Sequence, residues 1–272
     1  MIQLRDQQIT IFESHLYRTT TTVLLTDELI LLVDPNWLPG EVNEIRNFVS
    51  KHKGRRKLYL LFTHSDYDHI IAYGAFPGAT TIASQAFVAQ PLAQKQIRQI
   101  LDFDAQFYLN RDYPIVYPQI SHAFHSDGQR LELEGGLQLY GYAAPGHTDD
   151  GLFTVVEPYG IFIAGDYLSN IEFPFIYHSL EAYEQTMAKA GAILEKHEIT
   201  LLIPGHGDCT SDRAEMRQRI EESNVYLQQL RRQVQSGEPF PTKSLWERYR
   251  FRKGMESYHR NNLKLARKAL IT

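Results

Sequence analysis

Short apolar runs that stop at turn residues dominate the first three-quarters of the chain. Gln8 to Glu13, Arg18 to Leu25 and Leu29 to Val33 read as strands, the second through its β-branched stretch Thr19 to Val23. Gly40 to Lys51 sets Val42, Ile45, Phe48 and Val49 on one helical face. The run Leu58 to Phe62 does not alternate, which predicts a strand covered on both faces, and Thr80 to Ala83 reads as the next strand. The β pattern resumes with Arg130 to Leu133, Leu137 to Ala144, Leu152 to Val156 and Ile161 to Ala164. Glu134-Gly135-Gly136 and Glu157-Pro158-Tyr159-Gly160 supply turns between them. Leu180 to His197 is predicted helical, and Thr200 to Ile203 is the last clear strand. Ser211 opens a helix, with Asp212 in its first turn, that runs to about Gln235, where Gly237-Glu238-Pro239 stops it. A basic helix covers roughly Met255 to Leu270.

Residues 84–127 break this rhythm. Pro91 to Leu109 carries Leu92, Ile97, Ile100, Leu101 and Phe107 at helical spacing, and Tyr113 to Tyr117 is aromatic and interrupted by proline. The stretch reads as an insertion between two halves of a sheet. It serves either as a wall of the substrate site or as a helical layer covering the sheet. The order of strands, helix, strand, insertion, strands, helix, strand and helices predicts an α/β fold, a sandwich of two mixed sheets with helices outside.

Composition narrows the function classes. With 43% hydrophobic and 22% charged residues, the 272-residue chain suits a soluble globular enzyme of one large or two small domains. A net charge of -4 argues against a general nucleic-acid binder. The single cysteine, Cys209, permits no intrachain disulfide, and a buried, inert thiol is the expectation for it. The opening residues lack the apolar core of a signal peptide and no apolar run reaches membrane-spanning length, so a cytoplasmic location without a membrane is expected.

The chemistry sits where the apolar runs end. Leu58 to Phe62 is followed by Thr63-His64-Ser65-Asp66-Tyr67-Asp68-His69, and Leu137 to Ala144 by Pro145-Gly146-His147. Ile161 to Ala164 is followed by Gly165-Asp166, Leu201 to Ile203 by Pro204-Gly205-His206, and Leu29 to Val33 by Asp34, the weakest member. Strands deliver such residues to a sheet edge, and histidine with aspartate is the donor set of a divalent cation. Seven candidate ligands result: His64, Asp66, Asp68, His69, His147, Asp166 and His206. Residues two apart in a loop leaving a strand can point the same way while their neighbours diverge, so one segment can serve two closely spaced metals.

These motifs, in this order, resemble the metallo-β-lactamase superfamily of hydrolases. Its signature is His-x-His-x-Asp-His, then a distant Gly-His, an Asp after a strand, and a Pro-Gly-His. The resemblance covers residues 8 to about 210 and includes Leu31-Leu32-Val33-Asp34-Pro35. It implies an αββα sandwich with a two-metal site. His64, Asp66 and His147 would bind one metal and Asp68, His69 and His206 the other, with Asp166 bridging. A hydroxide between the metals would be the nucleophile, and Asp68 would orient it and pass its proton on. Residues 1–210 would then be the catalytic domain, with its insertion at about 84–127, and 211–272 a C-terminal helical extension.

One position departs from the pattern: Asp66 stands where the family usually has histidine. Two divalent ions are implied, zinc by the resemblance, with manganese or iron favoured by the harder oxygen donor. The flavodiiron branch carries an acid at this position, together with a flavin-binding domain for which the stretch after residue 210 is too short. The expected activity is metal-dependent hydrolysis of an ester, thioester, lactone or phosphodiester in a small-molecule substrate. The alternatives are a di-iron redox or oxygen-handling protein and a binding module with a degenerate metal site.

Other residues carry weaker signals. Tyr167 follows Asp166, and in lactonase-like relatives a tyrosine near the site assists the carbonyl, although no motif aligns it here. Asp150 is a turn former or a hydrogen-bond partner of a ligand histidine. His178 reads as a surface loop residue or as a group that contacts substrate or donates to a developing oxyanion, His122 and His125 as ordinary polar residues, and His52, His197 and His259 as solvated. The basic run Arg248, Arg250, Arg252 and Lys253, with Arg260, Lys264, Arg267 and Lys268 beyond it, reads as a solvated surface or a site for an anionic group. No Gly-x-Ser-x-Gly elbow, dinucleotide fingerprint or phosphate loop is present.

Overall fold

The computed structural model describes residues 1–89, 91–249 and 251–271. Among them the strands make two mixed sheets, of seven and five strands. The chain divides into two units, Met1–Ala143 with Asp150–Pro158, and Ala144–Asp149 with Tyr159–Thr272.

In the first unit β1 (Ile2–Arg5), β2 (Ile9–Glu13), β3 (Thr20–Leu25) and β4 (Leu29–Val33) pair antiparallel in sequence. Then α1 (Pro39–Lys53) crosses over and β5 (Lys57–Leu61) joins β4 in parallel, Val33 opposite Leu61. The buried residues of α1, Val42, Ile45 and Val49, recur at helical spacing, as the periodicity predicts. Glu41 fastens the start of α1, accepting from the Leu38 N–H at 3.1 Å and from the Ser14 hydroxyl at 2.8 Å. After the one-turn helix α2 (Tyr67–Ile70), β6 (Thr80–Ser84) continues the parallel half.

The predicted insertion begins with α3 (Gln85–Val88) and α4 (Ala93–Gln106) and returns through β7 (His122–Phe124), parallel to β6. Phe87, Ile100 and Tyr113 lie in the same apolar core as Ile30, Leu32, Leu60 and Phe62. The insertion therefore covers the sheet. Arg111 pins its far side, donating to both carboxylate oxygens of Asp104 at 2.8 Å, to the Trp37 carbonyl and to the Tyr113 hydroxyl. The unit closes with an antiparallel meander of β8 (Gln129–Glu132), β9 (Gln138–Ala143) and β10 (Leu152–Glu157). The sequence reading does not include strands β1, Ile-Gln-Leu-Arg, and β7, His-Ala-Phe, because they lack the continuous apolar run that marks the equally short strands Ile161–Ile163 and Leu201–Ile203.

In the second unit β11 (Ile161–Ile163) and β12 (Leu201–Ile203) pair in parallel across α5 (Leu180–Lys196). Leu180, Tyr183, Met187, Ala190 and Leu194 form the buried stripe of α5. Helix α6 (Arg213–Ser236) begins two residues after Ser211, because Asp212 is its cap and accepts from the Ala214 N–H at 2.8 Å. It ends at Gly237 in the left-handed conformation. The short α7 (Thr242–Arg248) was not foreseen, and α8 (Arg252–Ile271) is the basic helix.

The tail departs from the reading of solvated histidines. His259 is buried among Phe173, Tyr226, Phe240 and Trp246, because it lies on the inward face of α8 with Met255, Asn262 and Ala266. His197 is buried too, and a His52 ring nitrogen meets the Phe48 carbonyl at 2.8 Å. Of the basic run, Arg248 pairs with Glu222 and Arg252 with Glu256, while Arg250 lies outside the described residues. Cys209 is half-buried.

Candidate metal-binding site

In the first unit, parallel pairing sets the ligand loop beside Asp34. The Asp34 N–H donates to the Leu61 carbonyl at 3.1 Å, one rung beyond the Val33–Leu61 pair. Its carboxylate then accepts from the Thr63 N–H at 2.9 Å and the Thr63 hydroxyl at 2.5 Å. Asp34 also accepts from His69 Nδ1 at 3.0 Å. The Thr63 hydroxyl, having spent its proton on Asp34, accepts from His64 Nδ1 at 3.0 Å. Asp34, dim in the sequence, thus orients two predicted ligands and is not placed as a ligand itself.

The loop's other support is Asp150, whose carboxylate accepts from the Ser65 N–H at 3.1 Å, between His64 and Asp66. Its partner is backbone, not a ligand histidine. The chain then turns into α2, closed by a bond from the His69 N–H to the Asp66 carbonyl at 2.9 Å. This brings His69 Nε2 within 3.4 Å of Asp68 Oδ2, and His64 Nε2 within 3.8 Å of Asp66 Oδ2. The His64 and His69 rings are 4.2 Å apart.

In the second unit, strand register starts the approach of Asp166 and His206. Ile163 lies opposite Ile203, and each ligand follows its strand by three residues. The Ala164 and Gly205 N–H groups extend the pairing to the Ile203 and Gly165 carbonyls. A Cβ on Gly205 would press on the Asp166 carboxylate and lie 3.0 Å from the Gly165 carbonyl carbon, so a larger residue there would displace the Asp166 side chain or the loop. Arg219 of α6 locks both loops at the same offset beyond the ligands, donating to the Leu168 carbonyl at 3.1 Å and the Asp208 carbonyl at 2.8 Å.

His147 arrives on a bend at Gly146, where φ is 140° and a Cβ would press against the Tyr183 backbone. The Tyr167 hydroxyl accepts from the His147 N–H at 2.8 Å and donates to the Ala144 carbonyl at 2.7 Å. Its phenol is buried and committed to backbone, so it holds the histidine rather than serving as a carbonyl-assisting group. Burial raises the pKa of the neighbouring Tyr183 well above the tyrosine range, so it too stays a neutral phenol. His147 Nδ1 donates to the Phe175 carbonyl at 2.8 Å. Asn262 of α8 fixes that segment, accepting from the Ile176 N–H at 3.0 Å and donating to the Pro174 carbonyl at 2.6 Å. His147 Nε2 and His206 Nε2 lie 3.2 and 3.3 Å from the same oxygen, Asp166 Oδ2. His178 has an exposed side chain and contributes backbone only.

Three of the four ligand histidines share one electrostatic arrangement. In His64, His69 and His147 the Nδ1 proton is committed to an internal acceptor, as the hydrogen-bond network assigns it. In a neutral ring Nε2 is then an acceptor, and each faces an aspartate oxygen. Two acceptors at such distances repel unless a positive charge, a proton or a cation, compensates them. Internal acceptors on Nδ1 with Nε2 turned toward other ligands is how proteins prepare histidine for metal, so the donor set fits divalent cations. Each unit contributes part of the seven residues singled out in the sequence: His64, Asp66, Asp68 and His69 in the first, His147, Asp166 and His206 in the second.

Comparison with known proteins gives the family and the fold. The family model of the metallo-beta-lactamase superfamily matches residues 18–206, well over half of the chain. The chain belongs to that superfamily. Its fold is similar to a metallo-beta-lactamase from Pontibacter korlensis, at TM-score 0.59 and 15% identity, covering 84% of this chain and 98% of that one. It is also similar to a metallo-beta-lactamase family protein from Thermus thermophilus, at TM-score 0.61 and 18% identity, covering 85% and 83%. A motif mutant of a metallo-beta-lactamase from Cronobacter sakazakii gives TM-score 0.60 at 19% identity, covering 85% and 96%. At these identities the likeness concerns the fold, the αββα sandwich of two mixed sheets with helices. No helix among the described residues is long and apolar enough to cross a membrane.

Proposed function

We propose that this protein is a metal-dependent hydrolase of a small-molecule ester, thioester or lactone, with a phosphodiester as the second choice. The observation that carries the reading is the convergence of His147 Nε2 and His206 Nε2 on one oxygen of Asp166, each ring approaching within 3.3 Å. A carboxylate so placed suits a bridging role. Residues 1–210 are taken as the catalytic domain and 211–272 as an extension that steadies it. In this reading His64, Asp66 and His147 would hold one divalent ion and Asp68, His69 and His206 a second, with Asp166 serving both. When bound, such ions supply Lewis acidity and lower the pKa of water. The chain's own residues do the rest. Asp68 accepts the proton that the attacking water loses and passes it to the leaving oxygen or sulfur as its bond to carbon or phosphorus breaks. Asp34 and the Phe175 carbonyl keep His69 and His147 aimed throughout.

The test is metal analysis joined to a substrate panel. Reconstituted protein is expected to hold close to two divalent ions per chain and to cleave at least one ester, thioester, lactone or phosphodiester probe with zinc, manganese or iron. At most one ion per chain would overturn the two-ion reading, and no cleavage with any of the metals would overturn the hydrolase. A second reading, a di-iron redox protein, is favoured by the carboxylate at Asp66. Bound iron with a redox-active absorption band and no hydrolysis would support it.

A further inference from the structure

Asp66 is gripped from outside the ligand loop. Gln96, in the first turns of α4, is 6% exposed, and its Nε2 donates to Asp66 Oδ1 at 3.1 Å. A carboxylate only accepts, so the amide must present its NH2 group here. The bond occupies one carboxylate oxygen and leaves the other, Oδ2, on the side of His64 Nε2. Asp66 needs such a hold: its side chain is 20% exposed, against 2% for His64.

Helix α4 is itself well anchored. Ile100 lies in the core of the first unit, and Ile97 and Phe103 pack against that core. Phe103 meets Trp37 and Tyr67 with ring centroids at 5.5 and 6.2 Å. Asp104 is clamped by Arg111. Tyr67 stands between Asp66 and Asp68, so the insertion touches two successive residues of the ligand loop, one by an amide and one by a ring. An amphipathic helix that only covered a sheet would carry an apolar residue at position 96, one turn before Ile100 on the buried face. The polar one points at the single ligand position that departs from the family pattern.

We propose that Gln96 is a positioning residue that makes Asp66 a one-oxygen ligand and thereby helps select the metal. The proposal rests on the reading of Asp66 as a ligand. With Oδ1 held by an amide, Asp66 meets a cation through Oδ2 alone and shares its charge with the Gln96 N–H. Without the amide, both oxygens can turn to the cation. Two-oxygen chelation suits larger, harder ions of higher coordination number, and a single oxygen suits four-coordinate zinc.

The test uses four forms of the full-length protein: wild type, Gln96→Met, Asp66→His and the double variant. Methionine keeps the length and burial of glutamine and lacks the amide. Metal-free protein is loaded from a mixture of zinc and manganese, and the ratio bound is measured by elemental analysis. Gln96→Met should raise the manganese-to-zinc ratio by about tenfold, the low end of what an outer partner contributes to metal affinity. The cobalt-loaded form should show an altered visible spectrum, because the coordination of the ion changes. In the Asp66→His background the same substitution should leave both unchanged, since no carboxylate remains for the amide to hold. A shift of equal size in both backgrounds would mark Gln96 as merely structural and overturn the proposal. Asp66→His altering the ratio while Gln96→Met does not would keep Asp66 as a ligand and remove Gln96. No effect from either would sink the reading of Asp66, and this proposal with it. If Gln96→Met fails to fold, judged by thermal unfolding of the metal-free protein, Gln96→Ala takes its place in the same design.

Discussion

Asp34 shows how much one side chain can organise. Its carboxylate takes the Thr63 N–H, the Thr63 hydroxyl and His69 Nδ1, and through Thr63 it reaches His64 Nδ1. In Asp34→Asn the amide NH2 cannot accept, so one of these donors is left facing another donor inside the protein. Metal affinity should fall about 10- to 100-fold, the range for loss of an outer partner of a ligand histidine. Stability should fall by about 1–3 kcal/mol, the cost of leaving a buried polar group unsatisfied. Competition with a chromophoric chelator and urea denaturation measure the two; unchanged values for both would mean that Asp34 organises nothing. The sequence marked Asp34 as a strand-end residue within the family resemblance, and not as the partner of Thr63 and His69. Gln96 was hidden among Gln94, Lys95, Arg98 and Gln99, because the spacing of a helix shows which side is buried and not which polar atom on that side finds a partner.

At the scale of elements, the C-terminal helices are part of the machinery that holds His147. Helix α8 presents Asn262 to the Pro174–Ile176 segment and His259 to the Tyr226 hydroxyl at 3.0 Å. Asn262 donates to that hydroxyl at 2.9 Å, so Tyr226 is free to donate to His259 Nδ1, which the neutral ring accepts. Burial lowers the pKa of His259 below its ordinary value of 6.5. The unfolded chain therefore takes up this proton first as the pH falls. The site costs nothing above about pH 6.5, and stability is lost progressively below it, down to the lower folded value. Urea denaturation between pH 8 and pH 5 should show this loss in wild type and a smaller one in His259→Gln. Parallel curves for the two proteins would exclude His259 as the source. Periodicity located α8 but not its inward face: a histidine among basic residues reads as solvated until the aromatic rings that enclose it are known.

For the whole molecule, the proposed ligands run from His64 to His206, so a bound cation ties together residues far apart in the chain. A cation that binds the native state and not the unfolded one stabilises by mass action, about 2.7 kcal/mol at 100 times its Kd. Chelation should therefore lower the midpoint of thermal unfolding, and re-adding zinc or manganese should restore it. A midpoint indifferent to both would argue against metal binding by the native protein. The sequence by itself determined the strand ends at which the seven candidate ligands stand, because apolar runs, glycine turns and the order of His and Asp are local properties. It determined the superfamily for the same reason. Tertiary structure decided which partner each side chain takes: Asp34 on His69, Asp150 on Ser65, Tyr167 on the His147 backbone, Gln96 on Asp66. These bonds join residues 20 to 85 positions apart. Sheet register and helix packing set such pairs, and no pattern along a single strand or helix encodes them.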